Sequence, residues 1–199
     1  MKCAARTAAV LLIAALALWG ISAACARRTC GESDAAVAQL LRWQLRERLD
    51  GQTLCVIARA EVDGPEGAPF ALRAFETADH SKTGLAVFSR RGAALDLETV
   101  TVWDGANPVQ PLYAVDLRSA DQQSIRTYDC FLVLDARIVS VEGARYYGPS
   151  ADARTLPSLV YDGLQAPCIV AVPQPDPAFS WHSGGYTFCD SAGAVVSQA

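Results

Sequence analysis

Residues 32 to 51 read ESDAAVAQLLRWQLRERLDG, and this stretch decides which folds are open to the chain. Ser33 and its acidic neighbours supply a cap and negative charge at the start of a helix, and Gly51 offers a left-handed stop. A single amphipathic helix is stable only when its apolar face packs against another element. The sequence therefore predicts an N-terminal helix that lies on a sheet through residues at helical spacing: Val37, Leu40, Leu41, Leu45 and Leu49.

The segments after the helix indicate that sheet. TLCVIARAEV at 53 to 62 alternates in the manner of a half-buried strand, and we expect its apolar residues to share one side: Leu54, Val56, Ala58, Ala60 and Val62. PFALRAFETA, beginning at Pro69, is ambiguous, because proline suits a first helical turn whereas the aromatic residues also suit a strand, and we favour a short helix. Gly, Pro, Asp and Asn separate the later runs, without helix-length insertions, so we expect antiparallel neighbours. Those runs, rich in β-branched residues, span 85–89, 97–103, 112–117, 128–141 and 168–172.

These elements predict an α+β fold in which the N-terminal amphipathic helix packs on a curved, mostly antiparallel β-sheet. A leading helix followed by such a sheet resembles the layout of cystatin-like and NTF2-like domains, and a likeness of layout transfers no function. The alternative is a small β-barrel or sandwich with an N-terminal helix. The length of 199 residues suits a single globular domain over residues 27–199 once residues 1–26 are set aside.

Residues 1–26 have the composition of an export signal. Lys2 and Arg6 precede an uncharged run that extends to Ala26. Three outcomes are open: cleavage at the A-x-A site ending at Ala26, lipidation of Cys25 at the lipobox-like tetrad SAAC, or retention of the run as an uncleaved membrane anchor. All three predict a bacterial envelope protein, periplasmic, extracellular or membrane-attached, whose body lies outside the cytoplasm.

Export makes disulfides the default for the five cysteines that follow the signal. If CIVAV at 168–172 folds back on GYTFC at 185–189, Cys168 and Cys189 face each other, and we predict a disulfide between them. Cys55 and Cys130, both on apolar strands, are the second predicted pair. The chain has no C-x-x-C motif, which argues against a thioredoxin-type centre or a common zinc site.

The net charge and the absence of known binding motifs argue against several classes of function. Removing residues 1–24 leaves 15 basic against 21 acidic residues, so nucleic acid is not an expected partner. No phosphate-binding, dinucleotide-binding, calcium-loop or haem-attachment motif is present, and we expect no cofactor and no bound metal. The carboxylates in or beside the predicted strands are interpreted as solvated groups at strand edges: Asp116, Asp121, Asp129 and Asp135.

FSWHSGGYTFCDSAG at 179–193 invites a catalytic interpretation because DSAG faintly resembles the nucleophile segment of serine proteases. A chymotrypsin-like enzyme needs several strands after its nucleophile, and only eight residues follow Ser191. We therefore predict a terminal β-hairpin with Gly193 at the positive-φ position of its turn. The alternative is a small hydrolase or thiol enzyme that uses His182 or His80 with Ser191 or Cys189.

The sequence thus assigns no catalytic residue. We expect a non-enzymatic exported domain that binds an unidentified protein or small molecule on the open face of its sheet. Attachment to a membrane through Cys25 or through the uncleaved N-terminal segment is part of this expectation.

Overall fold

The computed structural model describes residues 28–105, 107–147, 154–174 and 181–199. This part of the chain contains one α-helix, one 3₁₀ turn (Pro65–Gly67) and twelve strands. In chain order the elements are β1 (Thr29–Gly31), α1 (Asp34–Gln44), β2 (Leu54–Asp63), β3 (Pro69–Thr77), β4 (Lys82–Arg91), β5 (Ala94–Asp104), β6 (Val109–Arg118), β7 (Ile125–Val133), β8 (Ser140–Tyr147), β9 (Arg154–Asp162), β10 (Cys168–Pro173), β11 (Trp181–Cys189) and β12 (Val195–Gln198).

The strands form three antiparallel sheets. Sheet A has the order β1-β5-β4-β3-β2, sheet B the order β10-β7-β6, and sheet C the order β12-β11-β8-β9. In the described part of the chain none of the sheets closes into a barrel. The predicted α+β class, with one N-terminal helix on an antiparallel sheet, is therefore confirmed, although the chain builds two further sheets.

Helix α1 forms where the periodicity predicts it. The Oγ of Ser33 accepts a hydrogen bond from the backbone N–H of Ala36 at 3.3 Å, and Gly51 takes a φ of +75° in the turn that follows. The apolar face of the helix and the turn after it is buried on sheet A, through Val37, Leu40, Leu41, Leu45 and Leu49. This core between α1 and sheet A is called the first core below.

Strand β2 differs from the predicted strand in one respect. A β-bulge between Val56 and Ala58 shifts its register against β3. Because a one-residue shift moves every later side chain to the opposite face, Leu54 and Val56 point into the first core, whereas Ala58 and Val62 point to the other side of sheet A. The expectation that these residues share one side is wrong at the bulge.

The helix predicted for PFALRAFETA is also wrong, because this segment is strand β3. Phe70 and Leu72 point to one face of sheet A, and Ala71 and Phe75 point to the other. Both faces of a central strand are covered here, so the apolar residues do not alternate with polar ones as they do on a half-exposed strand. Periodicity alone cannot distinguish such a run from a buried helix.

Sheet B lies in the interior of the molecule. Cys130 and Leu132 of β7 pack against sheet A in a second core, and Phe131 and Val133 pack against sheet C in a third. The order of layers is therefore α1, sheet A, sheet B, sheet C. Since α1 and sheet B cover both faces of sheet A, the open sheet face expected for ligand binding does not exist there.

The terminal hairpin is confirmed. Strands β11 and β12 pair antiparallel, and Gly193 has a φ of +78° in the turn between them. The pairing predicted for the preceding segment is wrong, because β10 pairs with β7 of sheet B and not with β11 of sheet C.

Candidate functional site

A groove runs between β1 and α1 at the edge of sheet A. It has a volume of about 410 Å³. The backbone of the short strand forms one wall and one face of the helix forms the other. At the rim stands Trp43, which is 42% exposed and is one of four large apolar side chains exposed in the described part of the chain. The lining residues are Thr29, Cys30, Gly31, Ala36, Gln39, Leu40 and Trp43.

The groove exists because small residues face each other across it. A Cβ built on Gly31 would lie 3.9 Å from the Cβ of Ala36, in van der Waals contact, so a larger side chain at either position would occupy the space between the walls. The strand is held by its pairing with β5, in which Cys30 lies opposite Leu95. Thr29 adds a side-chain hydrogen bond from its hydroxyl to a carboxylate oxygen of Asp96. Both walls therefore belong to regular elements.

Ion pairs hold the start of the helix against sheet A. The Arg59 guanidinium donates two hydrogen bonds to Asp34, from Nε at 2.9 Å and from Nη2 at 2.5 Å. Arg90 pairs with Glu32, just before the helix, and with Glu61 of β2 at 3.1 Å. Bidentate pairs and shared partners fix orientation better than isolated surface pairs. This network joins the start of the helix to strands β2 and β4 of sheet A.

Beneath the network lies a buried cation. Arg73 of β3 is 3% exposed and donates from Nη2 to Glu61 at 2.9 Å and from Nη1 to the backbone oxygen of Leu72 at 2.9 Å. Its Nε has no hydrogen-bond partner among the described residues. Burial raises the pKa of the Cys30 thiol, an effect that the charge of Arg73 opposes and that of Asp96 reinforces. At neutral pH this thiol in the groove is protonated and is a poor nucleophile.

The exposed end of the helix is basic. Arg42, Arg46 and Arg48 are exposed and take part in no ion pair within the described part of the chain. Arg46 and Arg48 line a second depression that shares Trp43 with the groove. One acidic residue, Glu47, stands among them. The groove is therefore flanked by unneutralised positive charge.

The residues of the catalytic alternative do not come together. Ser191 is exposed in the β11–β12 turn of sheet C, whereas His80 is exposed in the β3–β4 turn of sheet A, where its Nδ1 lies 2.9 Å from Oε2 of Glu76. That contact raises the pKa of His80. The side chain of His182 lies outside the described part. Its backbone lies on β11 seven residues before Cys189, which corresponds to about 23 Å along an extended strand.

The predicted disulfides are not formed. Cys30, Cys55, Cys130, Cys168 and Cys189 are free, and no two of the described cysteines lie at disulfide distance. Cys168 lies opposite Val133 in sheet B, while Cys189 lies opposite Ser140 in sheet C, so the strand pairing behind the first prediction is absent. In the second predicted pair, Cys55 is exposed on β2 and Cys130 is buried in the second core. Cys25 and the predicted export signal lie outside the described residues.

Asp129 contradicts the expectation of a solvated strand carboxylate. It is 3% exposed and points between sheets B and C. Its Oδ2 accepts a hydrogen bond from the Tyr186 hydroxyl at 2.7 Å, and its Oδ1 accepts one from Nε2 of Gln174 at 2.8 Å and a longer one from the backbone N–H of Ala114 at 3.4 Å. The uninterrupted apolar run around it was a signal of burial on both strand faces. These contacts make Asp129 a structural link between two sheets.

The described ranges hold no group of three His, Cys, Asp or Glu side chains placed to take a metal ion. Within the same ranges, no helix is both long and apolar enough to cross a bilayer.

No protein-family model matches this chain, and the curated proteins and the solved structures contain no match to it.

Proposed function

We propose that this chain is an exported, non-enzymatic domain of a bacterial envelope, and that the groove between β1 and α1 binds an apolar group of a small molecule or of a protein partner. The observation that carries the proposal is the groove itself. Its volume of about 410 Å³ falls within the range of roughly 300–1,000 Å³ found for ligand sites. Leu40 and Trp43 supply apolar contact area, and Gln39 and Thr29 supply polar groups.

The groove also has the rigidity that binding requires. A site built on regular elements loses less conformational entropy on binding than one built on loops. The pairs Arg59–Asp34 and Arg90–Glu32 hold the helix in place, and the β1–β5 ladder holds the strand. The site thus needs little reorganisation to accept a ligand.

The enzymatic alternative receives less support. A nucleophile needs a base within hydrogen-bond reach, and the backbone of β11 places His182 and Cys189 about 23 Å apart. Ser191 and His80 belong to turns of different sheets. The groove thiol of Cys30 has a raised pKa and no histidine among the groove's lining residues.

We also propose that the cystatin-like or NTF2-like layout applies to residues 29–104, which comprise β1, α1 and β2 to β5. Its support is that α1 lies on one face of sheet A and that β2 to β5 follow each other as neighbouring strands. Sheets B and C would then be additions to that unit.

The groove is tested by titrating the purified chain with the uncharged dye N-phenyl-1-naphthylamine. We expect saturable binding that Ala36→Leu weakens at least about tenfold, because the added isobutyl group fills the space between the walls. Ala35→Leu is the matched control, since Ala35 is exposed on the same helix and does not line the groove. Equal affinities of the two variants, or no saturable binding by the parent chain, would contradict the groove as a binding site.

Export is tested separately by the intact mass of the protein recovered from its own host. The mass reports cleavage after residue 24 or 26, any lipid on Cys25, and the number of oxidised cysteine pairs. A full-length, unmodified chain recovered only from the cytoplasm would refute the proposed localisation.

A further inference from the structure

The described arginines differ in whether a carboxylate neutralises them, and Arg28, Arg118 and Arg126 are exposed without an ion pair at other places in the described chain. Five of the described arginines pair with carboxylates: Arg59, Arg73, Arg90, Arg91 and Arg137. By contrast, Arg42, Arg46 and Arg48 cluster at one end of α1 without an ion pair in the described ranges, in a chain whose formal net charge is −4. An acidic protein that concentrates unneutralised positive charge in one place presents a local attraction for anions.

The positive charge surrounds an exposed indole. Gln39, Arg42, Trp43 and Arg46 follow each other at positions i, i+3, i+4 and i+7, so they share one face of the helix and of the turn that continues it. Leu40 and Leu41, by contrast, lie on the buried face. Arginines around an exposed tryptophan on an amphipathic helix match the chemistry of a membrane interface, where indole rings lie at headgroup level. Arg48 follows the helix and lines the same depression as Trp43 and Arg46. We call the side chains of Gln39, Arg42, Trp43, Arg46 and Arg48 the basic face.

The proposed membrane attachment would place this face close to a bilayer. Cys25 precedes Thr29 by four residues, a span of at most about 14 Å in extended backbone. Thr29 begins β1, which lines the same groove as Trp43. A lipid on Cys25, or an uncleaved segment ending near residue 26, would therefore hold β1 and the adjacent basic face within a short distance of the bilayer surface.

We propose that the basic face docks on the surface of an anionic bilayer, with the three guanidiniums on lipid phosphates and the Trp43 indole at the interface. This inference rests on the proposed attachment of the exported chain to a membrane, and it goes beyond the groove, whose ligand is uncharged in the test above. A soluble acidic peptide would satisfy the charges, but it would explain neither the exposed indole nor the position of the face beside the tethered strand.

The experiment uses the full chain, with residues 1–26, reconstituted into vesicles that carry brominated acyl chains. The vesicles consist of phosphatidylcholine alone or of phosphatidylcholine mixed with phosphatidylglycerol. Because the chain has four tryptophans, the contribution of Trp43 is the difference in fluorescence quenching between the parent chain and Trp43→Phe. We expect quenching of Trp43 in the anionic vesicles and a severalfold smaller effect in the neutral ones.

Charge reversal provides the decisive comparison. R42E/R46E is expected to abolish the anion-dependent quenching, and R42Q/R46Q, which does not place acidic groups near the end of the helix, is expected to reduce it by roughly tenfold or more. R118E/R126E is the matched control, because Arg118 and Arg126 are exposed on neighbouring strands of sheet B. In this control variant the fluorescence of Trp43 should be quenched to the same extent as in the parent chain.

Equal quenching in neutral and anionic vesicles would overturn the proposal, as would unchanged quenching in both R42E/R46E and R42Q/R46Q. A third result would also overturn the proposal: loss of the anion-dependent quenching when soluble polyglutamate is added at the ionic strength of the assay. In that case the basic face would bind an acidic peptide in preference to the bilayer. Dye binding in the groove should survive R42E/R46E. Retained dye binding shows that the variant is folded. It also distinguishes a failure of the membrane-docking proposal from a failure of the proposal that the groove binds a ligand.

Discussion

Replacing Tyr186 by phenylalanine tests whether the buried carboxyl of Asp129 joins sheets B and C. The substitution removes one atom, the hydroxyl oxygen that lies 2.7 Å from Oδ2 of Asp129. It leaves the aromatic ring, whose centroid is 4.6 Å from that of Phe131. The ring also passes over Gly143, where a built Cβ would come within 2.7 Å of it, so the cavity left by the hydroxyl cannot be filled by a large movement of the ring.

The magnitude follows from the burial of the acceptor. Asp129 is 3% exposed, and water cannot easily replace the lost donor at Oδ2. Leaving a buried acceptor without a partner costs about 1–3 kcal/mol, and we expect Tyr186→Phe to lower the free energy of unfolding by about 2 kcal/mol. For a chain of this length that corresponds to a fall of roughly 4–8 °C in Tm.

Tyr128→Phe is the matched control. The Tyr128 hydroxyl donates at the same distance, 2.7 Å, to the backbone oxygen of Asp63, but Asp63 is an exposed residue and this hydrogen bond is only partly buried. We expect this variant to cost about 0.5–1 kcal/mol. Urea unfolding followed by circular dichroism measures both losses of unfolding free energy, provided that the m-value, the slope of that free energy against urea concentration, is unchanged. If Tyr186→Phe costs no more than Tyr128→Phe, the buried carboxyl does not link the sheets as we infer.

The remaining predictions concern packing, thiol reactivity and pH. Gly84→Ala should lower the free energy of unfolding by about 3 kcal/mol in urea titrations, because the new Cβ would lie 2.2 Å from the Phe75 ring and 2.7 Å from the backbone oxygen of Thr101; a loss below about 1 kcal/mol would show that the ring and the neighbouring strand both yield freely. Under native conditions near pH ~8, iodoacetamide should label exposed Cys55 and spare Cys130, since burial, reinforced by the charge of Asp129, raises the pKa of Cys130 to about 12. Peptide mass spectrometry distinguishes the sites, and rapid native labelling of Cys130 would contradict its burial. Hydrogen bonds from Ser81, Thr77 and Gln52 hold the pKa of Asp79 well below its usual range, so Asp79 stabilises the fold above its unfolded pKa of about 3.9 and this contribution is lost as pH falls below it. Urea titrations should therefore show a stability gap between the parent chain and Asp79→Ala that is constant above about pH 5 and shrinks toward lower pH; a gap that widens in acid would contradict the assignment.

Local patterns in the sequence predicted the elements that local interactions define. The helix is visible because Leu41 and Leu45 recur at helical spacing and Ser33 caps the first turn. The terminal hairpin is visible because Gly193 supplies the conformation that its turn needs. Strand β3 was missed for a physical reason: both of its faces are buried, so Arg73 is its one long charged side chain in the interior and no alternation marks it as a strand.

Features that depend on distant contacts could not be predicted in the same way. The pairing of β10 with β7, and not with β11, separated Cys168 from Cys189. The groove depends on β1, a strand of three residues whose partner Leu95 lies far along the chain from Cys30. The burial of Asp129 depends on Tyr186, 57 residues later. No local spacing encodes such proximities, and the helical pattern itself gives no indication that Trp43 borders a groove.

The position of sheet B has a consequence for how the polypeptide could be shortened. Strand β7 contributes to two interfaces, with Leu132 on one side and Phe131 on the other. A fragment that stopped after β7 would lack β10 and all of sheet C and would expose a row of large apolar groups to water. Such a truncation should aggregate.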